Sequence, residues 1–568
     1  MTANEEGLSA LGAEIKRSSS RRGDPGTRHG RRRAAQRSRR RRRTRRGVLI
    51  GFLVVALLVV GGAGYAWHLA NSLQRITVKG LRGTTTTGTE AGTENILMVG
   101  STSRCALAQQ NAAYGLCSQG VTGVNSDVIM ILHVNPATKK LAILSIPRDL
   151  FIPNARAGGA NKIDAGLYEG PTQLVAAIQE DFGIPIQHFV ELNFDQFANV
   201  VDALGGVNMA FPMTVFDAYS GLNVQANACV HLNGTEALQV VRARHLQYKS
   251  ATTTSTDPHY WPQEALSDLA RIRRDHEFLR VLATKMAKQG LGNPITDFNL
   301  VQSVRGDLTF DQSWSVTDMV NLVLEFHSVS VNSAPQLTIP VETVSDPAGG
   351  GALIYRGGNY GDVEFPSQLQ DMAAIEQVFG VGPNTDTMTG QPLPAPSAVT
   401  VSVMNGTGAY NQATDTASAL AALGFHTVGV GNVTPTGDVA ETVVYYGSKT
   451  PAVEAAAEAV VRSMSGSVIM GYDPTRVADG AMVTVVTGTQ FTVNPPAASA
   501  TAPASGASST PASSASPGAS SATTPTTVPT SATITPPSPT TQNLQPWDPR
   551  ACAPGAPVAP APTPTPVP

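Results

Sequence analysis

Several patterns that commonly carry chemistry are absent from this chain of 568 residues. Its four cysteines form no CxxC pair and accompany no histidine-rich cluster, so disulfide bonds are more expected than a metal site built on them. Neither a GxxxxGKS or GxxxxGKT loop nor a convincing GxGxxG after a strand is present, so no nucleotide site is indicated. No Ser-His-Asp order stands out, which leaves nucleophilic hydrolysis weakly supported.

The few cysteines are consistent with an oxidising environment outside the cytoplasm. Cys105 and Cys117 are close enough in sequence to close one loop, and we prefer that pairing. Cys229 and Cys552 then remain, and other pairings of the four stay open at this stage.

Charge is distributed unevenly along the chain. Residues 1–47 contain 16 Lys and Arg against 4 Asp and Glu, a balance of +12, whereas the remainder has a balance of −14. Residues 48–67 contain no charge and would form a helix of about 30 Å, the thickness of one bilayer core. The basic flank therefore predicts a single transmembrane helix, with residues 1–47 in the cytoplasm and everything after residue 67 outside.

Two other interpretations of this N-terminal region stay open. A cleaved signal peptide has a shorter apolar core and a small-x-small cleavage site, and no clear site follows here. The basic arm could bind DNA or RNA, but a charge run beside a membrane helix more often sets topology or touches anionic lipid. Membrane lipid is thus the expected partner, and nucleic acid is not.

Composition divides the external part into two α/β regions and low-complexity stretches. Apolar runs such as NILMVGS, DVIMILHV and LAILSI alternate with helical patterns, which predicts a layered α-β-α domain followed by a smaller α/β unit. The tail is Ala, Pro, Ser and Thr with almost no aromatic residue, so it is expected to be disordered. The predicted boundaries are 1–47 for a disordered basic arm, 48–67 for the transmembrane helix, 68–93 for a stalk, 94–380 for the first domain, 381–398 for a Pro-rich linker, 399–493 for the second domain and 494–568 for the tail.

Five stretches of the first domain place arginines and carboxylates beside apolar runs. Burying several arginines is costly unless something anionic pairs with them, and the planar guanidinium suits phosphate oxygens. Ordinary salt bridges at the ends of strands and helices are the alternative for any single pair. The residues are Asp127, then Arg148 and Asp149 in IPRD, Lys162 and Asp164 in NKID, Arg242 and Arg244 in VVRARH, and Asp268, Arg271 and Arg274 in SDLARIRRD.

An external location restricts the substrate. No ATP is expected outside the membrane, so phosphoryl transfer there would need a substrate activated in the cytoplasm. A lipid-carried pyrophosphate meets this requirement, and apolar side chains on the same helices could form a slot for its tail or could be plain core.

The order of these motifs resembles the LytR-CpsA-Psr family of cell-wall glycopolymer ligases, actinobacterial type. The matching stretches run over residues 94–290 and include NILMVGS, SDVIMILHVNP, LSIPRDLF, NKID, LNGTEALQVVRARH and DLARIRRDHEFL. The later VMNGTG and the Ala-rich helix after it are similar to the C-terminal domain often attached to that family.

The resemblance implies a phosphotransferase that moves a glycopolymer phosphate, for example that of arabinogalactan, from a polyprenyl-pyrophosphate carrier to a muramic acid 6-hydroxyl of peptidoglycan, with Mg²⁺. It implies that Asp127 helps to hold the metal, and that Asp149 or Asp268 orients an arginine or takes the acceptor's proton. Arg148 would act at the transferred phosphate. The remaining basic residues expected at the substrate are Lys162, Arg242, Arg244, Arg271 and Arg274.

The sequence departs from the family at two positions. Thr102 stands where many members have an acidic metal ligand, and Asp164 stands where an amide is common. Asp164 is therefore the hypothetical second metal ligand. Two other functions stay open: a pyrophosphatase acting on lipid-linked pyrophosphates, and a non-catalytic protein that binds wall polymer or regulates other enzymes.

Overall fold

The structure is a computed structural model that describes residues 73–84, 92–102, 117–119, 124–265, 267–289, 308–326, 334–343, 353–434, 436–437, 441–495 and 544–560. These residues lie in one compact unit, 73–568. The predicted transmembrane helix and basic arm lie outside the described residues. Among the residues that are described, no helix is both long enough and apolar enough to span a bilayer.

The described elements alternate between strand and helix along most of the chain. The helices are α1 (Pro171–Phe182), α2 (Phe194–Ala203), α3 (Gly234–Arg242), α4 (Ser267–Gln289), α5 (Val316–Phe326), α6 (Gln368–Phe379), α7 (Gln412–Ala422) and α8 (Pro451–Val461). The strands are β1 (Gln74–Ile76), β2 (Glu94–Ser101), β3 (Ser126–Asn135), β4 (Lys140–Ser145), β5 (Phe151–Arg156), β6 (Gly159–Lys162), β7 (His188–Leu192), β8 (Val207–Phe211), β9 (Val215–Asp217), β10 (Leu222–Val224), β11 (Asn227–Leu232), β12 (Gln247–Tyr248), β13 (Thr309–Asp311), β14 (Gln336–Thr338), β15 (Val341–Thr343), β16 (Ile354–Tyr355), β17 (Gly358–Asn359), β18 (Glu364–Pro366), β19 (Thr400–Asn405), β20 (His426–Asn432), β21 (Thr442–Tyr446), β22 (Met464–Gly466), β23 (Val468–Tyr472), β24 (Val483–Thr487), β25 (Phe491–Val493) and β26 (Arg550–Ala551).

The first region is built on a mixed seven-stranded sheet in the order β1-β13-β7-β2-β3-β4-β14. Its central strands are buried on both faces because their alternating side chains enter two cores. On β2, Leu97 packs in the core that contains α1 and α6, whereas Ile96 packs on the other face with Trp314 and the side of α5. The prediction of a mixed α/β first domain with doubly buried strands is confirmed.

A second core lies beside this sheet and positions two arginine-bearing segments. Helices α2 and α3 each begin with a capping box, formed by Asn193 with Gln196 and by Asn233 with Glu236, which satisfies two backbone donors at each start. Helix α3 ends at Arg242 because the next residue, Ala243, is extended. The side of α4 packs on this core through Phe278.

The later region forms a five-stranded sheet in the order β20-β19-β24-β21-β23, with its own apolar core. It also packs tightly on the first region. Val443, Tyr445 and Ile469 belong to the core that surrounds α1. Asn154 of β5 exchanges two hydrogen bonds of 2.8 Å with the backbone of Tyr472 on β23.

The predicted disorder of the whole tail is wrong for residues 544–560, which we call the C-terminal segment. Strand β26 in this segment pairs antiparallel with β8. A disulfide joins Cys229 to Cys552, 323 residues apart. The aromatic ring and buried acid that this segment supplies, Trp547 and Asp548, complete a network on α4. The low-complexity composition of the flanking tail concealed these few core-forming residues.

The preferred pairing of Cys105 with Cys117 stays a prediction. Cys117 is disulfide-bonded, and Cys105 lies outside the described residues. The Cys229–Cys552 bond is compatible with the expected pairing of Cys105 and Cys117.

Candidate active site

The candidate site begins at the turn that follows β4. That strand ends at Ser145, just before Pro147, and a turn presents Arg148 and Asp149. Met130 of β3 lies opposite Ser145 in an antiparallel register. Beyond the last paired residues, Asp127 and Arg148 lie close together, and their side chains form an ion pair.

Carboxylates surround the Arg148 guanidinium, and the Arg148 side chain remains 20% exposed. Its Nε lies 3.5 Å from Asp149 Oδ2 and 4.0 Å from Asp164 Oδ2. Burial alone lowers the pKa of Arg148, but the neighbouring carboxylates outweigh this effect, led by Asp127, and the net pKa is raised. Arg148 is therefore a permanent cation at this position.

Asp149 is the point at which three basic side chains meet. Its Oδ1 accepts a hydrogen bond of 2.9 Å from Lys162 Nζ, and its Oδ2 accepts one of 2.8 Å from Arg244 Nη2. Burial alone would raise the pKa of Asp149. Arg148 and these two cations lower it by more than burial raises it, so the net pKa is below the usual value. Asp149 is thus an ionised anchor that orients cations.

Helix α4 supplies the inner wall of the site. Asp268 lies 2.9 Å from Arg271 Nη2, one turn along the helix, and 3.3 Å from Arg244 Nε. Arg271 also donates to the backbone carbonyl of Asp127. Behind it, burial raises the pKa of Asp275 to about 8, although Arg271 acts in the opposite direction.

Asp164 joins the cluster from a 3-10 helix, Ile163–Glu169. The backbone places it there, since its N–H donates to the carbonyl of Arg148 at 3.2 Å. Its Oδ2 accepts from Asn125 Nδ2 at 3.3 Å, and the backbone N–H of Asn125 donates to the Thr102 hydroxyl at 3.0 Å. Burial raises the pKa of Asp164 to about 6, despite the opposing effect of Arg148.

Sequence reasoning missed two carboxylates of this cluster. Glu364 comes from β18, and its N–H donates to the carbonyl of Asp149 at 3.0 Å. Burial, together with Asp268 and Asp149, raises the pKa of Glu364 to about 7. No motif marks this residue in the sequence, whereas Asp275 could have been found from its spacing of four residues after Arg271 on α4.

Two of the predicted substrate-binding residues lie elsewhere. The prediction is wrong for Arg274, because its side chain is fully buried and its Nη1 is held by both oxygens of Glu264, at 2.6 and 2.7 Å. The Arg242 guanidinium lies over the ring of Phe194, 4.6 Å from its centroid, so the structure does not bring it into the cluster either.

The remaining predicted residues are brought together from five separate stretches of chain. They are Asp127, Arg148, Asp149, Lys162, Asp164, Arg244, Asp268 and Arg271. The cluster combines bidentate donors for anionic oxygens with carboxylates able to orient those donors or bind a cation. In an α/β protein, such an arrangement can pair with the oxygens of an anionic ligand such as a phosphate.

The sequence profile of the LytR_cpsA_psr family matches residues 68–360, which is more than half of the chain. This chain therefore belongs to the LytR-CpsA-Psr family. A second profile, described as LytR cell envelope-related transcriptional attenuator, matches residues 398–491.

Individual relatives agree with this assignment, including its actinobacterial type. The chain is similar to two proteins of Corynebacterium glutamicum: the probable cell wall biosynthesis protein LcpB, 32% identical, and the cell wall biosynthesis protein LcpA, 24% identical. These matches cover 47% and 73% of this chain, and 58% and 81% of LcpB and LcpA.

A match to the polyisoprenyl-teichoic acid–peptidoglycan teichoic acid transferase TagU of Bacillus subtilis, 30% identical, covers 34% of this chain and 57% of TagU. Among solved structures, a LytR-Csp2A-Psr enzyme from Actinomyces oris is 24% identical, with a TM-score of 0.36. That match covers 48% of this chain and 88% of the other.

Proposed function

We propose that this protein is a membrane-anchored extracytoplasmic phosphotransferase that joins a glycopolymer to peptidoglycan. The donor is a polyprenyl-pyrophosphate-linked glycan, and the acceptor is a muramic acid 6-hydroxyl. The observation that carries the proposal is the cluster around Arg148, whose basic side chains meet at one turn. Relatives named as cell wall biosynthesis proteins and as teichoic acid transferases support the general role.

In this reaction the acceptor oxygen attacks the phosphorus that carries the glycan. A new P–O bond forms, the P–O bond to the carrier's second phosphate breaks, and the polyprenyl phosphate leaves. Arg148, Arg244 and Lys162 would exchange part of their pairing with Asp149 for phosphate oxygens. Because they are held before substrate arrives, they stabilise the charge that develops at phosphorus with little reorganisation.

The acceptor's proton needs a carboxylate that is not already committed to cations. Asp149 and Asp268 each hold arginines, which suits them to orientation. Glu364 has a pKa of about 7, and its Oε2 is buried without a hydrogen-bond partner, so it is better matched to accept a proton. Glu364→Gln should lower kcat by about a hundredfold with an unchanged donor KM. A kcat near that of the wild type would remove Glu364 from this role.

Mg²⁺ is included in the proposal, and the donor set fits it. Within the described residues, no group of three or more His, Cys, Asp and Glu side chains is arranged to hold a metal. Mg²⁺, however, is commonly bound by one or two carboxylates together with water and substrate phosphates. Asp127 and Asp164 both face the Arg148 guanidinium, and we assign the ion to them. The bound ion would neutralise charge on the pyrophosphate.

The proposed location follows from the N-terminal sequence. Residues 48–67 would anchor the chain, leaving residues 1–47 in the cytoplasm and the cluster outside. Protease treatment of intact spheroplasts provides the test. The region 73–568 should be cleaved while an epitope at residue 1 is protected, and protection of both would refute this orientation.

The reaction itself is tested with the full-length protein in detergent. It would be incubated with a polyprenyl-pyrophosphate-linked oligosaccharide, Mg²⁺ and peptidoglycan fragments. Oligosaccharide joined to peptidoglycan through phosphate supports the proposal. Release of inorganic phosphate without joining indicates the pyrophosphatase alternative, and absence of turnover favours the non-catalytic binding role.

A further inference from the structure

The C-terminal segment, residues 544–560, forms a network with Arg273 and Arg274 of α4. Asp548 is fully buried, and its Oδ2 and Oδ1 accept hydrogen bonds of 2.6 and 3.2 Å from Arg273. Its Oδ1 also lies 3.8 Å from Arg274 Nη1. Two cations and two anions, the second anion being Glu264, therefore balance one another, and of the four only Arg273 is partly exposed.

Trp547 supplies the other half of the attachment. Its ring stacks on Tyr248 at 4.0 Å, with an angle of 5° between the planes, and its Nε1 donates to Glu264 Oε2 at 3.3 Å. The N–H of Glu264 in turn donates to the carbonyl of Leu246 at 2.9 Å. The segment is thus connected to Leu246, which follows Arg244 in the chain.

The same network also reaches Ala243, the residue before Arg244. Arg274, held by Glu264, donates from Nη2 to the backbone carbonyl of Ala243. Ala243 and Leu246 flank Arg244, whose guanidinium contacts both Asp149 and Asp268. The backbone that carries this site arginine is therefore fixed at both ends by groups that the C-terminal segment completes.

We propose that the C-terminal segment positions the donor-binding arginine: Asp548 and Trp547 hold Arg274 and Glu264, which fix the backbone on either side of Arg244. Asp548 is a positioning residue, since it touches neither the carboxylate cluster nor the substrate. The inference rests on the proposed function only in that Arg244 binds the donor pyrophosphate. It gives a role in the site to a segment that lies some fifty residues beyond the second domain.

The main test uses Asp548→Asn in the full-length chain. The amide keeps the shape but removes one of the two negative charges, so Arg273 and Arg274 lose part of their compensation. The KM for the donor should rise about tenfold, which is a typical effect for a residue that acts on a site through intermediate residues. The kcat per folded molecule should stay nearly constant. A purely structural role would instead lower the folded fraction and leave KM unchanged, which would overturn the inference.

A double-mutant cycle identifies the path. In an Arg244→Ala background, Asp548→Asn should raise the donor KM little further, because both changes act on the same group. An equal rise in both backgrounds would place the effect elsewhere and overturn the inference. Trp547→Phe keeps the stacking on Tyr248 and removes only the bond to Glu264, so a smaller rise in KM is expected. Val558→Ala, at a half-exposed position of the same segment, should match the wild type.

Amide hydrogen exchange separates this inference from the proposed function. Asp548→Asn should accelerate exchange at the Glu264 amide, whose acceptor is the Leu246 carbonyl, without abolishing the Cys229–Cys552 bond. This readout requires no donor and no turnover. If the wild type neither binds nor transfers the donor, the proposed function is wrong, while unchanged exchange at Glu264 overturns the positioning role by itself.

Discussion

Arg148 and Arg274 show two different ways of burying an arginine in one protein. Arg148 is 20% exposed and faces three carboxylates, one of which, Asp149, also holds Lys162 and Arg244. Arg274 has no exposed surface and is held by both oxygens of Glu264. An arginine whose carboxylate partners are partly exposed to solvent can transfer its hydrogen bonds to a ligand. A fully buried arginine with a complete set of partners instead stabilises the local structure.

The largest effect should come from breaking the enclosed network. Arg274→Ala leaves Glu264 and Asp548 buried with one cation between them, so the free energy of unfolding should fall by about 3–5 kcal/mol. Urea denaturation measures this loss. The double variant Arg274→Met with Glu264→Leu removes both charges and should recover most of it. A loss below about 1 kcal/mol for the single variant would show that the network contributes little.

Removing Arg148 should affect activity more than stability. Arg148→Ala should lower transfer by about a hundredfold or more, the cost of losing one preorganised donor to a developing charge. Its unfolding midpoint should change less than that of Arg274→Ala, because water reaches the carboxylates left behind. Arg156→Ala, which removes a more exposed arginine paired with Glu169 at 3.4 Å, serves as the control. Full activity in Arg148→Ala would show that the IPRD stretch is only a structural turn.

Removing the carboxylate of Asp164 should weaken the binding of Mg²⁺. Asp164→Asn should raise the Mg²⁺ concentration for half-maximal transfer by at least about tenfold, a loss seen even for outer partners of metal ligands. Titration of activity with Mg²⁺ gives this value, and Asp415→Asn on the exposed side of α7 is the control. An unchanged Mg²⁺ requirement would exclude Asp164 as the ligand that replaces the acid missing at Thr102.

A buried carboxyl in the later region offers the smallest and most graded test. Burial raises the pKa of Glu458 to about 8, although Arg462 acts against it. Between the ordinary carboxyl pKa and pH 8 the native state binds more protons than the unfolded chain, so this group makes stability fall as pH rises. Glu458→Gln should flatten that slope in urea titrations at pH 5, 6.5 and 8. An identical slope in wild type and variant would contradict the assignment.

Much of the fold and part of the site could be predicted because their signals are local. The end of β4 before Pro147 follows from proline chemistry, and the helical periods place α1 and α4 within a few residues. The antiparallel pairing of β3 with β4 follows from the short turn between two apolar runs. Glu364 could not be found this way, because its strand reaches Asp149 only through tertiary packing.

Two arginines of α4 mark the same boundary between what can and cannot be predicted. Arg271 and Arg274 lie three residues apart on α4, and spacing alone gives them equivalent roles. Arg271 meets Asp268 one turn away, a contact that the helix itself produces. Arg274 meets Glu264 and Asp548, and Asp548 lies in a stretch whose composition predicted disorder.

The family, the alternating α/β elements and the set of charged residues from which the site is built can all be recognised in the amino-acid sequence. These follow from short-range periodicity, motif order and the chemistry of side chains, which act over one or two turns of chain. Long-range packing instead establishes which arginines share the carboxylate cluster and which are enclosed, and it brings Cys552 of the C-terminal segment to Cys229. Such contacts depend on complementary packing between residues hundreds of positions apart, and no local pattern records that packing.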